Sequence, residues 1–195
     1  MFFAILAIKF FEMNKRKILF SISIIIASVL LYFLATNYKD NKYVDRIPAV
    51  PSMEEMSVSF QEFISNANSK AVNKPSAKNL GGLGMVYHAN NYFEEAETCY
   101  LLAIERDPKA WIWSYYLGGL KRELGDSENA IKNFSHVLDI QPNTYMAWYY
   151  KGEALNQIGE TAKFKEILES LSGMDEAFFV LKNSKRTSYY PLPVY

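Results

Sequence analysis

AKNLGGLGMVYHANNYFEEAETCYLLAIERDP, residues 77–108, and WIWSYYLGGLKRELGDSENAIKNFSHVLDIQP, residues 111–142, are the stretches on which the fold turns. Laid one beneath the other they hold register at an offset of thirty-four: Gly84 meets Gly118, Ala96 meets Ala130, Pro108 meets Pro142, and Gly152 continues the glycine series. Self-similarity at a period of this size marks stacked copies of one supersecondary unit. Each copy holds two stretches of helical apolar spacing, parted by Asn90-Asn91, Gly125-Asp126 and Gly159-Glu160. The units therefore read as helix pairs: 77–89 with 93–106, 110–124 with 127–140, and 144–158 with 161–171. Glycine and alanine strip bulk where two helices cross closely, and Tyr100 or Phe134 fills the neighbouring gap. One pair alone leaves an apolar face bare, so the pairs must stack, and stacking curves them into a superhelix with a concave side.

The first unit, Leu80-x-x-Leu83-Gly84-x-x-Tyr87 with Ala96-x-x-x-Tyr100, Ala103 and Pro108, resembles the tetratricopeptide repeat family closely. The second keeps Leu117-Gly118, Ala130-x-x-x-Phe134 and Pro142 but carries Ser114 and Lys121 where that family favours large apolar residues. The third keeps Trp148 and Gly152, uses Leu155, Leu168 and Leu171 as apolar stand-ins, and departs at Lys151, Phe164 and Glu176, as a terminal cap does. The resemblance covers residues 77–171, divided 77–109, 110–143 and 144–171, and implies an all-α, α-α superhelix of about three pairs. The residues expected to hold it together are Leu83, Gly84, Tyr87, Ala96, Tyr100, Ala103 and Pro108, then Leu117, Gly118, Ala130, Phe134 and Pro142, then Trp148 and Gly152.

In this family the first helix of each pair lines the concave side. The matching positions here are Lys78, Gly81, Met85 and His88; Ile112, Tyr115, Gly119 and Arg122; and Met146, Tyr149, Glu153 and Asn156. Such a floor of methionine and tyrosine suits an extended peptide or a partner helix. Trp111, Trp113 and Tyr116 are the rings on these helices that weigh most toward the core between neighbouring pairs. Chaperone-binding members of the family clamp a terminal carboxylate with Lys, Arg and Asn. The matching positions here hold Gly81, Met85, Tyr116, Met146 and Tyr150, so no such clamp is expected.

Composition narrows the function further. Twenty-one basic and twenty-one acidic side chains leave no net charge to attract nucleic acid. A single cysteine, Cys99, excludes an intramolecular disulfide, and with only His88 and His136 no zinc or covalent haem motif forms. No phosphate loop, His-Glu-x-x-His or Gly-x-Ser-x-Gly occurs, so no enzyme, cofactor or metal is expected. His88 and His136 read as surface or capping residues, Cys99 as a small buried residue beside Tyr100, and Glu94, Glu95 and Glu97 as favourable charges at a helix start. Asn133-Phe134-Ser135 matches a glycosylation acceptor but sits on a core ring inside a helix, so it is discounted.

The amino-terminal part is different in kind. Residues 18–35, ILFSISIIIASVLLYFLA, run without a charge, an amide or a proline. At about 1.5 Å per residue they reach roughly 27 Å, near the hydrocarbon thickness of a bilayer. A single transmembrane helix over 18–36 is expected, uncleaved because Phe33 stands where a signal peptide wants a small residue. Lys15-Arg16-Lys17 places residues 1–17 in the cytoplasm and everything after Thr36 outside it, in the periplasm of a bacterium. Because Met13 precedes the basic cluster, the first twelve residues are expected to derive from an early start codon.

Residues 37–76 read as a linker: an extended spacer over 37–51 with Pro48 and Pro51, an amphipathic helix over 53–66, and a second spacer over 67–76. Ser52 and Glu55 form a capping box for that helix, and Met53, Met56, Phe60, Phe63 and Ile64 supply a packing face that covers one end of the repeats. Residues 172–195 read as a short closing helix over 175–183 and a Pro- and Tyr-rich tail that either folds back on the repeats or, the favoured expectation, stands where a longer array stops.

The whole reads as a membrane-anchored, non-catalytic scaffold that binds a peptide or protein partner in its groove. The alternatives are an assembly factor for envelope complexes, of the cytochrome-maturation or outer-membrane-biogenesis kind, and an accessory repeat module of a longer enzyme or sensor.

Overall fold

The computed structural model describes the backbone of residues 2–52 and 57–172, and among these residues every regular element is a helix. In chain order they are α1 (Phe2–Val44), α2 (Val58–Asn73), α3 (Ala77–His88), α4 (Phe93–Arg106), α5 (Trp111–Glu123), α6 (Ser127–Ile140), α7 (Tyr145–Gln157) and α8 (Thr161–Ser172). The chain divides between Asp45 and Arg46 into two units.

In the first unit, α1 continues past the expected end at 36, so the anticipated spacer over 37–51 is helical as far as Val44. The cause is plain: neither glycine nor proline occurs before Pro48. Its segment Leu19–Val44 has a mean hydropathy of 2.3 over its most apolar window and is long and apolar enough to cross a membrane. That window is entirely exposed, as in a membrane span or a signal sequence and unlike the core helix of a soluble domain. Ser21 and Ser28 turn their hydroxyls back to the carbonyls of Lys17 and Ile25, so neither hydroxyl interrupts the apolar surface.

The second unit is a superhelix of helix pairs. α3 packs on α4, α5 on α6 and α7 on α8, while α4 meets α5 and α6 meets α7 to join the pairs. Each within-pair turn is built the same way. Asn91, Gly125 and Gly159, thirty-four residues apart, adopt φ of 63°, 76° and 90°. The next amide donates to the carbonyl five residues back: Tyr92 to Tyr87, Asp126 to Lys121, Glu160 to Leu155. This is the helix stop in which a left-handed residue lets two amides satisfy the last carbonyls. Asn tolerates that conformation better than other non-glycine residues, which is how the first turn manages without glycine.

Within each pair the matched glycine faces a ring. A β-carbon on Gly84 would stand 2.9 Å from Tyr100, and one on Gly118 would stand 3.0 Å from Phe134. The same rings then reach the next pair. Tyr100 stacks on Tyr116 with centroids 5.9 Å apart, and Phe134 lies 5.7 Å from Tyr150 at the equivalent place one repeat on. Each glycine thus admits a ring that serves two interfaces, and buried aromatic pairs of this kind add about 0.5–1.5 kcal/mol beyond their area. The polar departures of the second unit are each partnered. Ser114, buried, bonds Nδ1 of His136 at 2.8 Å, and Lys121 reaches Glu97 at 2.6 Å. Leu83, Tyr87, Ala96, Ala103, Leu117 and Ala130 are buried, whereas Pro108 and Pro142 are exposed and act at the turns. Phe134 is fully buried within α6, as befits a core ring.

α2 differs from its expected span. Residues 67–73, read as spacer, are helical, and the linker to α3 shrinks to Lys74-Pro75-Ser76. Ile64 and Ala71, about two helical turns apart and so on one face, are the buried residues of α2, which packs against α3. Phe63, assigned to the packing face, is 59% exposed. The capping box through Glu55 and the methionines 53 and 56 lie outside the described residues, as do the closing helix over 175–183 and the tail.

Candidate functional site

The face formed by the first helices, α3, α5 and α7, brings several of the expected groove residues side by side. His88, at the end of α3, approaches Glu123 of α5 at 3.0 Å, and Arg122 of α5 reaches Glu153 of α7 at 2.9 Å. His88 and Arg122 are thirty-four residues apart, so the same position in successive pairs reaches sideways to the next first helix. Arg122 also lies over the ring of Tyr150, 4.2 Å from its centroid. A guanidinium both paired and stacked is held more firmly than either contact alone would hold it. Burial pushes the phenol of Tyr150 above its usual value, while the Arg122 charge opposes that rise.

Lys78 and Asn156 are exposed, and Met85, His88, Arg122, Met146, Tyr149 and Glu153 are half-buried. Ile112 and Tyr115 depart from their expected role: they are 5% and 4% exposed and offer almost no area. Tyr115 is walled in by Phe134, Tyr116 and Tyr150. Residues 112–120 of α5 are buried without interruption, because α5 has neighbours on every side. Gly81 likewise lies beneath Trp113, whose ring leaves no room for an added β-carbon. Trp113 and Tyr116 are core, as their position between pairs suggested, and Trp111 is half-buried. The accessible face is therefore Met85 and His88, the last turn of α5, and the outer side of α7.

The histidines are bridges more than surface groups. His88 also lies 3.3 Å from the hydroxyl of Tyr100, and His136 is the partner of Ser114. Cys99 is fully buried, and burial, with Glu95 adding to it, pushes its thiol up to about 12, far from the range of a reactive thiolate. Burial raises Tyr87 to about 12 as well. Among the described residues no group of three or more His, Cys, Asp or Glu side chains is arranged to hold a metal ion.

Two clefts were not foreseen. One, of about 410 Å³, lies at the α3–α4 turn between Tyr92, Phe93, Glu94, Glu95 and Leu124. The other, of about 380 Å³, opens between the α6–α7 turn and α8, with Pro142, Tyr145, Trp148, Ile167 and Ser170 among its walls. Both arise from the way consecutive elements meet, for which the sequence carries no local signal.

A family profile for the tetratricopeptide repeat matches residues 77–110 and 115–144. These two segments are tetratricopeptide repeats. Among curated proteins, Protein CTR9 homolog of Arabidopsis thaliana is 27% identical over 97 residues, 48% of this chain but 9% of that protein. The chain thus spans less than a tenth of that relative's length. Among solved structures, a crystal structure of MamA protein superposes with a TM-score of 0.54 at 16% identity, covering 69% of this chain and 70% of that one. A second MamA structure gives 0.54 at 20% identity, with 60% and 71% covered. A MamA RS-1 double mutant gives 0.56 at 18% identity, with 60% and 67% covered. At these identities the likeness is one of fold: a helical repeat superhelix. Repeats of this type present surfaces for other polypeptides, and the chain is consistent with a protein-interaction scaffold.

Proposed function

We propose that this chain is a non-catalytic scaffold, tethered to a membrane through α1, that holds an extended peptide or a partner helix against the first helices of its repeats. One observation carries the reading. The face of α3, α5 and α7 offers the flexible side chains Met85 and Met146 and the ring of Tyr149, while its charges are turned to one another as His88–Glu123 and Arg122–Glu153. Methionine and tyrosine bury area against varied shapes, and cations already engaged by carboxylates do not call for an acidic terminus. A largely apolar segment suits this face better than a charged tail. Lys78, Glu153 and Asn156 form its polar rim and set register more than affinity.

The tether rests on the exposed apolar run of α1 and on Lys15-Arg16-Lys17 ahead of it, which favour a cytoplasmic amino end with the repeats on the opposite side. Topology reporters fused after Thr36 and after Tyr195 test this. Both should report the extracytoplasmic side, and a cytoplasmic signal from both would overturn the placement. Photocrosslinkers placed at Met85 and Tyr149 test the groove.

A further inference from the structure

The cleft at the α3–α4 turn lies beside the face assigned to partners and is not part of it. The next repeat shows what is different here. There Ser127, buried, donates to the side-chain oxygen of Gln157 at 2.6 Å and closes the junction between the start of α6 and the end of α7. Thirty-four residues earlier the same two positions hold Phe93 and Glu123, and the carboxylate of Glu123 is taken by His88 at 3.0 Å. A phenyl ring makes no such hydrogen bond, and a cleft of about 410 Å³ remains between Tyr92, Phe93, Glu94, Glu95, Glu97 and Leu124. That is at the small end of clefts that take ligands, roughly 300–1,000 Å³.

Its rings are braced by their neighbours. Tyr92 stands edge-on to Tyr87 with centroids 6.2 Å apart, and Phe93 stands edge-on to His88 at 6.0 Å. Leu124, at the end of α5, is 48% exposed. The charges of the cleft are not balanced from within. Lys121 reaches Glu97 at 2.6 Å and Asp126 at 3.7 Å, so one ammonium serves two carboxylates. Among the described residues Glu94 and Glu95 take part in no ion pair. The positive start of α4 favours carboxylates at these places, but it does not account for two braced rings and an exposed leucine beside them.

Aromatic rings, an aliphatic wall and surplus carboxylates together match one side chain. Arginine lays its planar guanidinium on a ring, forks its N–H groups onto carboxylates and buries its stem against apolar surface. The chain already makes this arrangement for itself, where Arg122 lies 4.2 Å from the centroid of Tyr150 and donates to Glu153 at 2.9 Å. We propose that the cleft at the α3–α4 turn docks an arginine side chain of a partner polypeptide, against Tyr92 and Phe93, paired with Glu94 and Glu95, and with its stem along Leu124. A phosphate or an acidic segment would meet like charge there. The site does not depend on what the face of α3, α5 and α7 holds.

The test is a nuclear magnetic resonance titration of the full chain in detergent micelles, read at the methyl groups of Leu124 and of Met85. The probes are the end-blocked pentapeptide Gly-Leu-Arg-Leu-Gly and its citrulline counterpart, which keeps the shape of arginine without the charge. The arginine peptide should shift Leu124 in a saturable way while Met85 stays still. Citrulline should bind about tenfold more weakly, the loss expected of about 1.4 kcal/mol. Glu94→Gln with Glu95→Gln should weaken the arginine peptide by a similar factor with helical content unchanged. No shift at Leu124, equal shifts from the two peptides, or a shift at Met85 alone would overturn the assignment.

Discussion

A β-carbon on Gly152 would stand 2.7 Å from Cδ2 of Phe164, and Phe164 occupies the position that Ala96 and Ala130 hold in the earlier repeats. There the ring facing the glycine comes from one helical turn later, at Tyr100 and Phe134, where the third repeat has Leu168. The third pair has moved its ring back one turn and put an aliphatic side chain where the ring was. The crossing stays close because Gly152 still meets a ring, now that of Phe164, although Phe164 and Leu168 together are bulkier than the alanine and ring they replace. Gly152→Ala should therefore destabilise the chain by about 1–3 kcal/mol, read from the denaturant midpoint. The exchange Phe164→Ala with Leu168→Phe, which restores the residue types of the other repeats, should cost less than the about 3–5 kcal/mol expected of Phe164→Ala alone. Gly82→Ala, whose β-carbon meets nothing within 4 Å, should gain up to about 1 kcal/mol from helix propensity.

The sequence made the helix pairs legible because their close crossings need glycine and alanine at fixed places, and their turns need Asn91, Gly125 and Gly159. It hid the moved ring of the third pair: Phe164 reads as a defect until Gly152 is seen beneath it. It also hid the full length of α2, since an alanine such as Ala71 can pack a helix without adding to an apolar signal. Among the groove residues, Tyr115 and Tyr149 are alike in sequence, and only the neighbours of α5 decide that the first is core. The pairings of His88 with Glu123 and Arg122 with Glu153 join residues more than thirty apart and leave no local trace.

Tyr115 and Tyr149 should accordingly part company. Tyr115→Ala removes a buried ring and is expected to cost about 3–5 kcal/mol in chemical unfolding. Tyr149→Ala should cost under half of that and instead reduce partner capture. Similar losses of stability for the two would place Tyr149 in the core as well.

Asp126 caps α6 and accepts from the amide of Asn129 at 3.3 Å. The side-chain hydrogen bond from Asn129 is the main reason its carboxyl titrates below the usual value, with the Lys121 charge assisting. A carboxyl depressed in the folded state stabilises above its unfolded value, and that contribution disappears as pH falls through the folded one. Asp126→Asn, which keeps a capping oxygen without a charge, should flatten this part of the acid limb of a thermal-stability profile. Asp126→Ala should lose about 1 kcal/mol at neutral pH.

Cys99, with its thiol raised to about 12 by burial, should resist thiol reagents in the native protein and react at the rate at which α4 opens. Labelling followed against denaturant should track the loss of helix. Rapid native labelling would show that α4 is not packed as described.

The scaffold reading is tested most directly by photocrosslinking in intact membranes, with a crosslinker placed in turn at Met85, at Tyr149 and at the exposed Lys132 of α6. A common polypeptide captured from Met85 and Tyr149 and absent from Lys132 is the predicted result. Capture from Lys132 with none from the α3 and α7 positions would contradict it.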